Sequence, residues 1–388
     1  APVHSAFHLR PQPGTIPRHH LRSENMLITA PVLMKARTPM QILELDLDDP
    51  RSGEVRVKMT ASGVCHSCLL TADGTHYGAP TPIVLGDEGS GIVDAVGPGC
   101  RTLSPGDHVV LSWAPSCLTC RPCHRGYPAL CLNKAQFGRM ADGTTRFRYR
   151  GTDVYHYGPA TYGSYTVVPE DAAVRIRKDF PLDLAALIGC SVTTGFGAVV
   201  NTARVRAGQG VAILGCGGIG LNAVQAAALA GADPIIGVDV IDSKLDFARE
   251  FGATHTVNSA NEDLVDRVMG LTGHGVDACI VAVGSTAAME QGLGILAPRG
   301  VEVVIGLTGV DETFGVNPMQ LIQGEHRILG SNYGSSNPAV EFPRMVELAM
   351  AGRLRIGDLI TRRYDLDQAD EAFRALAAGE QARGLIVF

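Results

Sequence analysis

Hydrophobic positions fall into two textures along this chain. From about Met26 to Val168 the apolar residues come in short β-branched runs, such as Gly53-Glu54-Val55-Arg56-Val57-Lys58-Met59 and Gly91-Ile92-Val93-Asp94-Ala95-Val96. Gly, Pro and Asp separate these runs, which is how an all-β, barrel-like module reads. After Gly189 the runs become continuous. Val211-Ala212-Ile213-Leu214 predicts a buried strand, Leu221 to Ala230 a helix of small residues, and Ile235-Ile236-Gly237-Val238-Asp239 a second strand. Further strands are predicted over Ala278 to Val283 and Val301 to Ile305. Strands alternating with helices predict a parallel, doubly wound sheet. From about Pro338 the pattern is helical, and it closes on a short apolar strand, Gly384 to Phe388.

Residues 1–25 match neither texture. They hold four prolines, four histidines, three arginines and one acid, with no apolar period. Such a segment reads as a disordered or added extension, and its prolines suit an amphipathic targeting helix poorly. Met26 is expected to open the first strand and would serve as a natural start. The 388 residues suffice for two domains.

A formal charge of -6, with no basic run, excludes the phosphate-binding face that a nucleic-acid partner requires. No apolar stretch reaches a bilayer-spanning length and no leader opens the chain, so a cytoplasmic protein without a membrane partner is expected. Ten cysteines then imply thiols that are reduced or metal-bound.

Four of those cysteines carry the strongest chemical signal. Cys117, Cys120, Cys123 and Cys131 follow C-x2-C-x2-C-x7-C, a compact spacing able to close a tetrahedral thiolate shell around zinc. Four thiolates leave no open position for chemistry, so this zinc is expected to be structural.

The second signal is Gly215-Cys216-Gly217-Gly218-Ile219-Gly220, a G-x-G-x-x-G turn between a predicted strand and a predicted helix. The first glycine permits the turn, the second lets a pyrophosphate approach the backbone, and the third lets helix and strand pack closely. The helix N-terminus offers free amides to the phosphates. Asp239 ends the next strand, about twenty residues on, where a carboxylate can bind the adenosine ribose. Its charge would repel a 2'-phosphate, so NAD is expected rather than NADP.

With these motifs in place the chain resembles the zinc-containing medium-chain alcohol dehydrogenases from Met26 to Phe388. The resemblance rests on Gly63-Val64-Cys65-His66-Ser67, Gly86-Asp87-Glu88-Gly89-Ser90-Gly91, the four-cysteine loop, Ile188-Gly189-Cys190-Ser191-Val192-Thr193-Thr194-Gly195 and the glycine turn. The segments Asp142 to Phe147 and Tyr165 to Val168 resemble the long form, which includes the liver-type and glutathione-dependent formaldehyde dehydrogenases. The resemblance implies a GroES-like β-barrel catalytic domain over 26–192 and 333–388, and a Rossmann coenzyme domain over 193–332. It also implies two zinc ions per chain, NAD, a small alcohol or aldehyde substrate and a homodimer joined along the coenzyme domains.

By the same resemblance the catalytic zinc falls to Cys65 and Cys190, with Asp87 where the family has histidine. Aspartate is a legitimate zinc ligand through oxygen. Cys68 stands where the family has an aspartate, and a neutral thiol there avoids repulsion with Asp87, so the two are expected to compensate; two unrelated substitutions at a degraded site, or Cys68 as a ligand, are the other options. Glu88 matches the glutamate behind the zinc and Ser67 the hydroxyl that takes the alcohol proton. The relay histidine is replaced by Leu70. His66 and His76 are the nearest histidines, and each reads as a surface or phosphate-side residue. Carried over by position are His66 and Arg383 toward the pyrophosphate, Lys244 near the adenosine, Thr194 against the nicotinamide, and Trp113 narrowing the substrate channel. Cys216 and Cys279 read as small apolar residues of the sheet.

The expected activity is hydride exchange between NAD(H) and a primary alcohol or aldehyde, aryl or slender in shape. Asp87, Cys68 and Leu70 keep open a reductase of a conjugated carbonyl or iminium. A nicotinoprotein, a non-catalytic dinucleotide-binding protein and glutathione-dependent formaldehyde oxidation are further alternatives.

Overall fold

The computed structural model describes residues 26–75, 78–133 and 138–388, so the expected extension and His76 lie outside the described residues. Met26–Leu33, Gln41–Leu47, Phe147–Tyr149, Thr152–His156 and Ile83–Val84 close into a small barrel. A second sheet runs in the order Ala173–Arg175, His108–Leu111, Gly89–Val96, Glu54–Gly63, Arg383–Val387, Ile360–Tyr364. Glu54–Gly63 is central because Val55, Val57, Met59 and Ala61 alternate with polar neighbours and are all buried. Its first half pairs with Tyr165–Pro169 and its last residues pair with Leu385 to Val387. The chain's last strand thus lies beside the residues that lead into Cys65.

The third sheet is wholly parallel, in the order His255–Asn258, Ile235–Asp239, Val211–Leu214, Val276–Val281, Leu296–Val304, Arg327–Gly330. The order reverses direction at Val211–Leu214, and that reversal leaves a crevice at the carboxyl ends of the strands. Val211–Leu214 is buried on both faces, as its unbroken apolar run predicts. The GroES-like barrel and the doubly wound sheet expected from the sequence are both present.

Element ends differ from expectation for local reasons. The strand expected over Ala278 to Val283 spans Val276–Val281, because Ala282 and Val283 instead close over the glycine turn. The helix expected from Leu221 begins at Gly218, since the turn itself supplies the first helical residues.

One apolar core joins the barrel side to the coenzyme side through the helix Ser191–Gly197. Gly195 makes this contact possible: a Cβ there would stand 2.2 Å from the carbonyl oxygen of Ile219. Any larger residue would push the coenzyme helix Gly218–Ala230 away from Cys190. Among the described residues no single helix is long and apolar enough to cross a membrane.

The parallel sheet also buries a carboxyl group. Glu302 is fully buried opposite Cys279, and both of its carboxyl oxygens lack a hydrogen-bond partner among the described residues. Burial pushes its pKa up from the usual 4.5 to about 8. The folded chain therefore holds a proton that the unfolded chain has released across that window, and stability falls as pH rises through it, levelling off above. One proton's difference between the two states costs at most about 1.4 kcal/mol per pH unit. Glu302→Gln, which cannot ionise, should flatten this fall, read as the unfolding midpoint at a series of pH values between 5 and 9.

Candidate metal centre and coenzyme crevice

Three separate elements bring Cys65, Asp87 and Cys190 together. Cys65 caps the helix His66–Ala72, which turns Ser67 and Cys68 inward and leaves His66 exposed. Asp87 follows Gly86, whose φ of +111° bends the chain just before the strand Gly89–Val96. Cys190 stands at the bend that opens the helix Ser191–Gly197. One ligand atom from each of the three lies within 4.8 Å of the other two, and all three residues are buried. The Cys65 and Cys190 sulfurs are 3.9 Å apart. Two thiolates in a tetrahedral zinc shell, each bonded at about 2.3 Å, would stand about 3.8 Å apart.

The electrostatics of this cluster call for a cation. Burial raises the pKa of Asp87, opposed by the Ser67 hydroxyl and by Arg383. Contact with the Cys65 thiol, then burial, pushes Cys190 well up. Three acidic groups packed this tightly cannot all ionise alone. A divalent ion relieves that conflict, and the donor set of two sulfurs and one oxygen suits zinc.

Cys68 stands behind Asp87, outside this ligand group. Its sulfur lies 3.6 Å from Asp87 Oδ1, while the Ser67 hydroxyl is 2.5 Å from Oδ2 and 3.1 Å from the Cys65 sulfur. Burial first, and the Asp87 charge second, push the Cys68 thiol well up, so it stays a neutral donor to the carboxylate.

Glu88 is fully buried. Its Oε1 accepts hydrogen bonds from the backbone N–H of Ser191 at 3.0 Å and from the Ser191 hydroxyl at 2.6 Å. Its Oε2 pairs with Arg383 at 2.5 Å, and Arg383 also donates to the Val64 carbonyl at 3.1 Å. Arg383, expected to face a pyrophosphate, is therefore committed first to Glu88. Its Nε is buried without a partner among the described residues, and its side chain packs on Gly218, where a Cβ would stand 2.8 Å from Arg383 Cδ. The charges of Arg383 and Lys244 both act on His66, whose pKa is lowered by burial first and then by these two. Lys244 and Arg383 thus make one positive region beside the glycine turn, with His66 as a neutral imidazole against it. Thr194, in the helix after Cys190, is buried.

The turn has the geometry its glycines predict. Gly215 adopts a φ of +92°, and a Cβ on Gly220 would stand 1.8 Å from the Gly215 carbonyl oxygen. A Cβ on Gly217 would meet nothing within 4 Å, which is the open cradle a pyrophosphate needs. Ile219 completes the turn, half-buried against Gly195. Asp239 Oδ2 accepts the Cys216 N–H at 2.8 Å, and Oδ1 accepts those of Val240 and Ile241 at 2.8 and 3.1 Å. The carboxylate anchors the turn to the next strand.

Trp113 is half-buried and stacks on Tyr333, with ring centroids 4.3 Å apart. A Cβ on Gly158 would touch both Trp113 Cβ, at 3.2 Å, and Asp87 Cβ, at 3.7 Å, so the indole borders the cluster. Sequence reasoning missed Tyr157, a buried residue beside the cluster whose phenol is held protonated by burial first and by the charge of Asp87 second. No local motif marks it; only the pairing of Thr152–His156 with Ile83–Val84 brings it there.

The four cysteines of the second cluster also offer sulfurs within 4.8 Å of one another. Backbone N–H groups of Cys120 and Thr119 and the Thr119 hydroxyl point at the Cys117 sulfur, at 3.3, 3.5 and 3.4 Å. Hydrogen bonds from Thr119 bring the Cys117 pKa down to about 5, while burial and the neighbouring thiols send Cys123 up to about 12. The loop is built to hold thiolates and fits a four-sulfur zinc site.

Comparison with known proteins agrees with this geometry. The family described as zinc-binding dehydrogenase matches residues 218–351, and the alcohol dehydrogenase GroES-like domain matches residues 51–178. The chain is 37% identical to an S-(hydroxymethyl)glutathione dehydrogenase of Paracoccus denitrificans over 94% of its own length and all of the relative's. It is 37% identical, over the same shares, to an alcohol dehydrogenase class-3 of Cereibacter sphaeroides. Among solved structures, benzyl alcohol dehydrogenase from Acinetobacter calcoaceticus superposes with a TM-score of 0.89 at 32% identity, covering 94% of this chain and 99% of that one.

Because the four-cysteine loop carries its own thiolate-stabilising contacts, Cys120→Ser should cost one zinc per chain and leave the other in place. Elemental analysis would count the loss, and the unfolding midpoint should fall by several degrees.

Proposed function

The chain belongs to the zinc-containing alcohol dehydrogenase family of oxidoreductases, and from that premise we propose that it exchanges a hydride between NAD(H) and a primary alcohol or aldehyde of aryl or slender shape. The observation that carries this reading is the convergence of Cys65, Asp87 and Cys190 beside the open Gly217 cradle. A zinc ion held by these residues would supply Lewis acidity toward the alcohol, less under two thiolates and a carboxylate than under a neutral third ligand. NAD, seated on the glycine turn, would accept the hydride.

The chain's own residues do the rest. Ser67 stands ready to accept a hydrogen bond from the alcohol. The positive charges of Lys244 and Arg383 favour the pyrophosphate, and the neutral His66 can donate a hydrogen bond to it. Asp239 presents negative charge where the ribose would sit, and Val240 to Ser243 contain no arginine to receive a 2'-phosphate, which supports NAD. Trp113, half-buried and held by Tyr333 at 4.3 Å between ring centroids, supports a narrowed channel and flat or slender substrates. A relative named for benzyl alcohol shares the fold. Cys68, as a neutral donor to Asp87, supports the compensating-pair reading of those two positions.

A homodimer suits the open edge of the parallel sheet. Arg327–Gly330 is its last strand, and Leu329, Ile322, Met319, Leu307 and Val310 expose 36–68% of their surface there and on the segments leading to it. Ile322→Asp combined with Leu329→Lys should convert a dimer to a monomer, read by sedimentation at micromolar concentration.

The central test is zinc per chain in the native protein and in Asp87→Ala. Two zincs falling to one, with kcat/KM for benzyl alcohol lowered at least about a hundredfold, is the expected outcome. One zinc in both proteins, or activity on an enone with none on a panel of primary and aryl alcohols, would move the reductase reading to the front.

A further inference from the structure

We propose that Tyr333 sets the width of the substrate channel: wedged between the peptide before Cys190 and the ring of Trp113, it fixes where the indole stands beside the metal cluster. The inference deepens the alcohol dehydrogenase reading and rests on it.

The observation that calls for explanation is a strained turn. Tyr333, Gly334 and Ser335 adopt φ values of +56°, +62° and +51°. Left-handed backbone suits glycine, but on Tyr333 and Ser335 the Cβ is crowded against the following carbonyl oxygen. Such strain persists only where the surroundings over-determine it, and it gathers at working sites. Here the surroundings are the helix that opens after Cys190. Gly197, at the end of Ser191–Gly197, lies so close to the turn that a Cβ there would collide with the Gly334 carbonyl. In the continuation Ala198–Ala203, Asn201 Nδ2 donates to that carbonyl at 3.1 Å, and the Thr202 hydroxyl is 2.8 Å from those of Ser331 and Ser335. From the other side, the Asn332 side chain donates to the Ala129 carbonyl in the four-cysteine loop at 3.1 Å.

What this clamp achieves is the placement of one ring. Tyr333 is buried, and its hydroxyl donates to the carbonyl of Gly189, the residue before Cys190. Phe342 meets the ring edge-on at 6.4 Å between centroids, and Trp113 covers it at 4.3 Å, tilted by 39°. The indole nitrogen of Trp113 is buried without a hydrogen-bond partner among the described residues. No polar contact therefore orients the indole, and its rotamer is set by packing. Tyr333 supplies the aromatic part of that packing. Gly158 lies against both Trp113 and Asp87, so the indole so placed stands next to a metal ligand. Withdrawing the Tyr333 ring would let this wall give way, and a wall that gives way admits a wider alcohol.

The test uses the zinc-loaded protein with NAD and compares kcat/KM for benzyl alcohol with that for 3,5-dimethylbenzyl alcohol, alike in chemistry but wider. Acrylamide quenching of Trp113, the chain's single tryptophan, reads how firmly the indole is held. In Tyr333→Leu the preference for the slender alcohol should fall about tenfold, carried by KM for the wide one. Quenching should rise, with zinc content and NAD affinity unchanged. Tyr333→Phe, which keeps the ring, should hold both readings near native. Because Tyr333 acts through Trp113, Trp113→Ala combined with Tyr333→Leu should show the preference of Trp113→Ala alone, to within about twofold. Tyr333→Met fills the same space flexibly and takes the place of the leucine variant if that one does not fold. A native protein without the preference, a preference unmoved by Tyr333→Leu, or a further loss in the pair would overturn the assignment and leave the alcohol dehydrogenase reading intact. A native protein that oxidises neither alcohol would overturn both.

Discussion

A single buried ion pair, Arg383 with Glu88, ties together the three residues of the metal cluster through their neighbours in sequence. Arg383 donates to the carbonyl of Val64, which precedes Cys65. Glu88 follows Asp87 and accepts both hydrogen bonds offered by Ser191, which follows Cys190. Arg383 belongs to the chain's last strand, Arg383–Val387, and packs on Gly218 at the start of the coenzyme helix. Breaking such a pair from one side leaves a bare buried charge, at a cost of about 3–5 kcal/mol. Here that cost would fall on the spacing of all three ligands and on the glycine turn together. The pair is best understood as a device of register rather than of net stability, because two well-packed apolar side chains could be just as stable without fixing where the ligands stand.

The same arrangement explains which parts of the site could be read from the chain. The four-cysteine loop and the glycine turn are local: their ligands or contacts lie within a few residues, so spacing carries the chemistry. The alternation of Val55, Val57, Met59 and Ala61, and the continuous run Val211–Leu214, likewise announced their sheets. Arg383 was legible as a residue near the coenzyme through family resemblance, but its commitment to Glu88 depends on the last strand pairing with Ala61 to Gly63, more than three hundred residues away in the chain. Tyr157 was not legible at all, since its position follows from a parallel pairing of only two residues. Helix and strand ends were read less well than elements, because the glycine turn takes the start of one helix and the end of one strand for itself.

Asp87 shows how a changed ligand reshapes its surroundings. A carboxylate offers two oxygens where an imidazole would offer one free nitrogen, and the buried carboxylate needs donors at both. Cys68 meets Oδ1 and Ser67 meets Oδ2. An aspartate at position 68 would have set a second negative charge against Oδ1, and both groups would have resisted ionisation. A thiol of raised pKa avoids this because it stays neutral while still donating.

Satisfying Asp87 in this way has a consequence for Ser67. A hydroxyl whose hydrogen is drawn to Oδ2 cannot also donate it freely along a relay, and with Leu70 in the histidine position there is no basic side chain on that helix face to receive it. The pair of Asp87 and Ser67 therefore orients a substrate hydroxyl more readily than it conducts a proton outward. Positioning of this kind contributes to rate by holding the reacting carbon toward the coenzyme crevice. It depends on the small distances around Ser67, which are fixed in turn by Gly86, Gly158 and the buried arginine at the end of the chain.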